Sequence, residues 1–262
     1  MANACPNCGF ENATDARQCP GCGTELPPAK MPQIAGRRVR VFELLLVLFV
    51  AFSASIVASL HQFFGGELPP TSAGSIKWVY STLRELAALG VLAYVLFRQG
   101  RGFAGIGKRW KATDIPMTLV LLTAAYGGYV VWVLGVEQKF IPPGQEIARQ
   151  AEANRHLFEG GVSVAAVVFM IINGFFEELI VRAFVITELK QLTGNVAIAI
   201  FASVAIQVSY HLYQGLPAAL SHVPMFLIFS IYYQRTNRIF PIAMAHVVMD
   251  LLILFHHVMT VS

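Results

Sequence analysis

The sequence predicts an all-α polytopic membrane protein with about seven transmembrane helices. Two observations carry this. Hydrophobic residues make up 56% of the 262 positions and charged residues 13%, well under the ~25% charged content of an ordinary soluble domain. The apolar residues also gather in runs of the roughly 20 residues that cross a bilayer. Mean hydropathy is +0.60. The net charge of +4 is small, and the basic residues stand at the ends of apolar runs instead of forming a patch, which speaks for membrane topology and against nucleic-acid binding.

The chain opens on a polar segment, with no short basic region and apolar stretch of the kind that marks a secretory signal peptide. Every cysteine lies in "CPNCGFENATDARQCPGC": Cys5, Cys8, Cys19 and Cys22. Two Cys-x-x-Cys knuckles at this separation predict a zinc ribbon over 1–26, four thiolates closing a tetrahedral structural site while the glycines permit tight turns around the metal. The alternative, two disulfides, requires an oxidising compartment. Residues 27–40 read as a proline-containing and basic linker, and 41–262 as the membrane-embedded helical domain.

Spans are expected near 41–64, 76–98, 115–136, 161–185, 196–214, 216–234 and 239–260. Arg37, Arg38 and Arg40 precede the first; Arg98, Arg101, Lys108, Arg109 and Lys111 follow the second; Lys190 follows the fourth; Arg235 and Arg238 follow the sixth. The positive-inside rule places these segments in the cytosol. The N-terminus, with its ribbon, is then cytosolic, where a reducing environment favours metal over disulfides. The 137–160 loop, balanced between Glu and Arg, is expected to hold a short amphipathic helix outside. Trp78, Tyr80, Trp110 and Trp132 read as interface anchors.

The stretch "FFEELIVR" closes an apolar run that has no charge from 162 to 176. Charges in hydrocarbon cost several kcal/mol, so they face a bundle interior or a hydrated cavity and mark function. Here they collect in the last four spans: Glu177, Glu178 and Arg182 in the fourth, Gln207 and His211 in the fifth, His222 in the sixth, His246 and Asp250 in the seventh. The pairs 178/182, 207/211 and 246/250 each share one helix face. A hairpin turning at "LTGN" puts Glu177 17 positions before Gly194 and His211 17 after it, hence at one depth. His222 reads as a packing residue. Arg84 and Glu85 in the second span read as a structural or cavity-lining pair.

These residues resemble the CAAX-processing and bacteriocin-processing (CPBP, or Abi-type) intramembrane proteases, whose motifs are Glu-Glu-x-x-x-Arg, Phe-x-x-x-His and His-x-x-x-Asn or Asp. Glu177-Glu178-Leu-Ile-Val-Arg182 matches the first, and His246-Val-Val-Met-Asp250 the third in its Asp form. Gln207 replaces the phenylalanine of the second, which rests on His211 and the tract "YHLYQG". The resemblance covers about 160–255, the expected protease core.

It implies an endopeptidase in which Glu177 activates water with help from His211. Arg182 fixes Glu178 as an orienting group. His246 donates to the oxyanion, and Asp250 positions a histidine or water. The implied partners are the lipid bilayer and a peptide or membrane-protein substrate, prenylated ones included, with a cytosolic protein partner for the ribbon; the implied location is the bacterial inner membrane. A metal-free glutamate mechanism is preferred over a zinc metalloprotease built from the same histidines and carboxylates. Two other classes stay open: a non-catalytic membrane adaptor or bacteriocin-immunity protein that retains the fold, to which Gln207 lends weight, and a proton-coupled transporter, disfavoured because no matched pair of interrupted helices is visible.

Overall fold

The computed structural model describes residues 3–5, 7–12, 18–25, 36–66, 75–107, 110–139 and 163–261. The amphipathic helix expected within 137–160 lies almost wholly outside these residues, as do Lys108, Arg109 and most of the 27–40 linker.

At the N-terminus, strands β1 (Asn3–Ala4) and β2 (Glu11–Asn12) pair antiparallel, and Gln18 bridges Glu25. Each Cys-x-x-Cys knuckle turns on a glycine at positive φ, Gly9 at 72° and Gly23 at 73°. There Gly9 N–H donates to Cys5 O and Gly23 N–H to Cys19 O, a turn that a Cβ would strain.

Among the described residues, seven helices are long and apolar enough to cross a membrane: α1 (Arg37–Phe63), α2 (Ser75–Arg98), α3 (Asp114–Lys139), α4 (Val164–Thr193), α5 (Val196–Gln214), α6 (Leu216–Thr236) and α7 (Phe240–Met259). The expected spans are all present. The fourth is extended by two turns at its C-terminal end, where Ile186 packs into the core and Glu188 is buried against Arg40. The termini follow local chemistry. Ser163 accepts from Ala166 N–H to start α4. Gly194, at φ 71°, ends it, and Asn195 Oδ1 accepts from Ala197 and Ile198 N–H to start α5, so the hairpin turns where "LTGN" predicts.

α4 is not uniform. It is α-helical over Val164–Glu177, a π-helix over Glu178–Phe184 and α-helical again over Val185–Thr193. The change of register disturbs the ladder of carbonyl acceptors, and neighbouring helices contribute donors there: Ser203 Oγ–H to Val181 O at 2.9 Å, and Tyr233 O–H to Ala183 O at 3.1 Å. Single π turns inside α-helices are frequent at functional sites.

All seven helices share one core that includes Val47, Leu92, Ala125, Ile180, Phe184, Phe226, Phe229 and Ile242. At one end of the bundle a charged layer closes it. Arg40 donates to Glu188 and Gln191, each at 2.6 Å; Arg98 pairs with Glu43 at 2.7 Å; Arg101 also meets Glu188; and Arg238 Nε donates to Asp114 at 2.7 Å. The basic segments grouped by sequence therefore lie at one end. Trp78 is no interface anchor: it faces inward and is buried against Phe169, ring centroids 5.1 Å apart.

Candidate functional site

A cavity of about 390 Å³ sits among α1, α2, α4, α5, α6 and α7. Its polar lining includes Glu177, His211, His246 and Asp250, together with Asn173, Tyr210, Tyr213, His222, Arg84 and Glu85. The acid and imidazole groups that the sequence singles out on separate helices thus share one space. Glu178 and Arg182 lie behind the lining and are fully buried.

Glu177 accepts a hydrogen bond of 2.7 Å from Tyr210 O–H. Tyr210 is held in place by stacking on Phe52, ring centroids 4.9 Å apart and 3° from parallel. Sequence reasoning assigned Tyr210 no role of its own. Its signal was there: a hydroxyl in an apolar span, one position before the motif histidine.

Glu178 faces the other way. Its Oε1 lies 2.8 Å from His246 Nδ1, and its Oε2 lies 3.2 Å from Arg182 Nε. The second contact is an ion pair by distance but is not aligned as a hydrogen bond. The Arg182 guanidinium sits over Phe226 and Phe229, 5.2 and 5.9 Å from their centroids, a cation–π setting suited to a desolvated cation. His246 Nε2 in turn lies 3.7 Å from Asp250 Oδ1. One imidazole therefore stands between two carboxylates, and donation from Nδ1–H to Glu178 leaves Nε2 toward the cavity.

His211 and Glu177 line the same cavity without being hydrogen-bonded to each other. His211 Nδ1–H donates to Gln207 O at 2.8 Å, which fixes the tautomer and leaves Nε2 as an acceptor. His222 is corrected from packing residue to cavity lining: its ring centroid is 5.3 Å from that of His211, and its own Nδ1–H donates to Ala218 O at 2.7 Å. The break between Ser221 and Val223 within α6 turns it inward. Gln207, where the motif has phenylalanine, is fully buried.

Close helix approach sets these distances. Gly174 on α4 faces Val247 on α7 so closely that a Cβ would stand 2.6 Å from Val247 Cγ2 and 3.1 Å from its backbone nitrogen. The residue preceding Val247 is His246.

In the ribbon the four Sγ atoms lie within 4.8 Å of one another, with Cys5–Cys22 at 3.6 Å and Cys8–Cys19 at 3.5 Å. A tetrahedron with Zn–S of about 2.3 Å has S···S edges of about 3.8 Å, so the set fits structural zinc. Among the described residues these four are the group of donors converged tightly enough to hold an ion.

Residues 160–252 match the family model for type II CAAX prenyl endopeptidase Rce1-like proteins, and residues 5–26 match the model for a zinc-ribbon domain. No curated protein and no solved structure matches the chain. The family supports a peptidase acting within the membrane. The chain thus carries an Rce1-like CAAX protease domain over residues 160–252, the intramembrane-protease family that its three motifs resemble, with a zinc-ribbon domain at 5–26.

Proposed function

We propose that the protein is an intramembrane endopeptidase of the CAAX- and bacteriocin-processing type, in which Glu177 takes a proton from a water molecule as that water attacks the scissile carbonyl. The observation that carries this reading is the convergence of Glu177, His211, His246 and Asp250 on one cavity from three helices. Tyr210 holds the Glu177 carboxylate in one orientation. His211, with Nε2 left as an acceptor, takes a second hydrogen bond from the same water. The tetrahedral oxyanion is met by a hydrogen bond from His246, whose ring is held between Glu178 on one side and Asp250 on the other. The proton held by Glu177 then passes to the departing amine, so the step consumes one water and regenerates the carboxylate.

Glu178 and Arg182 act as positioning residues. The metal-free form of the reaction is favoured by the donor placement: Glu178 and Asp250 are turned to His246 and Glu177 to Tyr210, each engaged with a protein partner. In the cell, the basic end of the bundle faces the cytosol and puts the ribbon there, within reach of a protein partner.

Glu177→Gln in the full-length protein tests the reading. Hydrolysis of a reporter membrane peptide should fall by about 10²- to 10⁴-fold, the span of general-base catalysis, while insertion and thermal stability stay unchanged. Full activity in Glu177→Gln would sink it. Activity lost on chelation and restored by zinc in a chain lacking residues 1–30 would replace it with the metalloprotease.

A further inference from the structure

We infer that the cavity opens on the membrane face away from the basic loops, so that the polypeptide it receives arrives from the extracytoplasmic side. The inference relies on the hydrolase reading only in calling that polypeptide a substrate.

The charged layer of Arg40, Glu43, Arg98 and Glu188 marks the headgroup level at the basic end of the bundle. Nine positions separate Glu43 from Phe52, eleven separate Glu188 from Glu177, and thirteen separate Arg98 from Glu85. At a rise of ~1.5 Å per residue the floor of the cavity lies about 13–20 Å from that layer, close to the middle of a hydrocarbon core about 30 Å thick.

The slab between layer and floor is packed. Ile180, Phe184, Ile186, Leu92, Leu96 and Phe229 fill it with no more than 1% exposure each. On the other side the lining continues outward. Ser59 and Gln62 lie in the last five residues of α1, which ends at Phe63, and Gln214 is the last residue of α5. These two rims are joined at the mouth by Tyr213 N–H donating to Ser59 Oγ at 2.8 Å. Among the described residues, the polar-rimmed pocket is closed by a packed slab on the arginine side and lined to the helix ends on the other, so it is filled from that one face. The positive-inside rule makes the closed face cytosolic. A segment already translocated, or the outer end of a transmembrane helix, fits this mouth; a tail in the cytosol meets the packed slab.

Cysteine accessibility tests the inference without any need for cleavage, so its failure leaves the hydrolase standing, and failure of the hydrolase leaves it standing. All four native cysteines lie in the ribbon, and the unaltered chain sets the background. Gln62→Cys and Gln214→Cys, two independent mouth positions outside the catalytic set, are compared with Lys190→Cys, an exposed site at the basic end. A membrane-impermeant maleimide is applied to intact bacterial cells expressing each full-length variant. The expected result is labelling at Gln62→Cys and Gln214→Cys to the same extent before and after permeabilisation, with Lys190→Cys labelled only after it. Labelling of the mouth variants only after permeabilisation, labelling of Lys190→Cys in intact cells, or no labelling at the mouth under either condition would each overturn it.

Discussion

His246 on α7 is held by Glu178 on α4, Nδ1 to Oε1 at 2.8 Å, and Glu178 is held in turn by Arg182 on its own helix at 3.2 Å. This chain of contacts joins the first and third motifs across 68 positions of sequence, and it is what turns one face of the imidazole toward the cavity.

Glu178→Gln keeps the shape of this contact and removes its charge. Hydrolysis should fall by about 10²-fold or more, as when the carboxylate orienting a catalytic imidazole is neutralised. Because Arg182 is then a buried cation without its partner, stability should fall by about 3–5 kcal/mol. The double variant Glu178→Gln, Arg182→Met should recover most of the stability and none of the activity. Thermal unfolding in detergent, run beside reporter cleavage, separates the two roles; parallel recovery of both would reduce the pair to a structural tie.

Tyr210→Phe retains the ring stacked on Phe52 and removes only the hydroxyl that donates to Glu177. A hydrogen bond to a charged group contributes about 1.5–3 kcal/mol, so turnover should fall about 10- to 100-fold with little change in melting temperature. Unchanged turnover would show that the hydroxyl does not orient the base.

Gly174→Ala should act at a distance. The added methyl would meet Val247 Cγ2 at 2.6 Å and backbone at 3.1 Å, so α4 and α7 must part and His246 must draw away from Glu178. A displacement of about 1 Å at a catalytic group can cost on the order of 10² in rate. Val247→Ala in the same chain removes the methyl in closest conflict and should restore part of the loss. Steady-state cleavage by the single and double variants checks this.

Metal analysis should find one zinc per chain in the purified protein and none in Cys8→Ser, since a four-thiolate site does not close with three. Glu177→Gln should leave the count at one. A count that drops with Glu177→Gln would place a metal in the membrane site.

Much of this architecture is legible in the sequence because lipid simplifies the reading. Runs of about twenty apolar residues announce the spans, and any acid or imidazole inside them stands out; the pairs 178/182, 207/211 and 246/250 were visible for that reason. The hairpin at "LTGN" was legible from the chemistry of Gly194 and Asn195. The π-helix over Glu178–Phe184 was not: its carbonyls meet side chains from Ser203 on α5 and Tyr233 on α6, tertiary surroundings that no local pattern carries. His222 was misjudged for a similar reason: a histidine without a motif neighbour looks like packing until the break in α6 aims it at His211. Trp78 looked like an anchor because it lies near a span end, and only the position of Phe169 shows which face it occupies.

The packed slab beneath the cavity has a consequence for bioenergetics. Acids, imidazoles and water reaching the middle of a membrane are half of a proton wire, and a cell that stores energy as a transmembrane proton gradient would lose it through a continuous one. Ile180, Val181, Phe184, Val185 and Ile186, with Leu92 and Phe229, are all at or below 1% exposure and interpose a tightly packed layer between that chemistry and the charges of Arg40, Arg101 and Glu188 at the basic end. Hydrolytic machinery can then remain wet at mid-membrane without discharging the gradient across it.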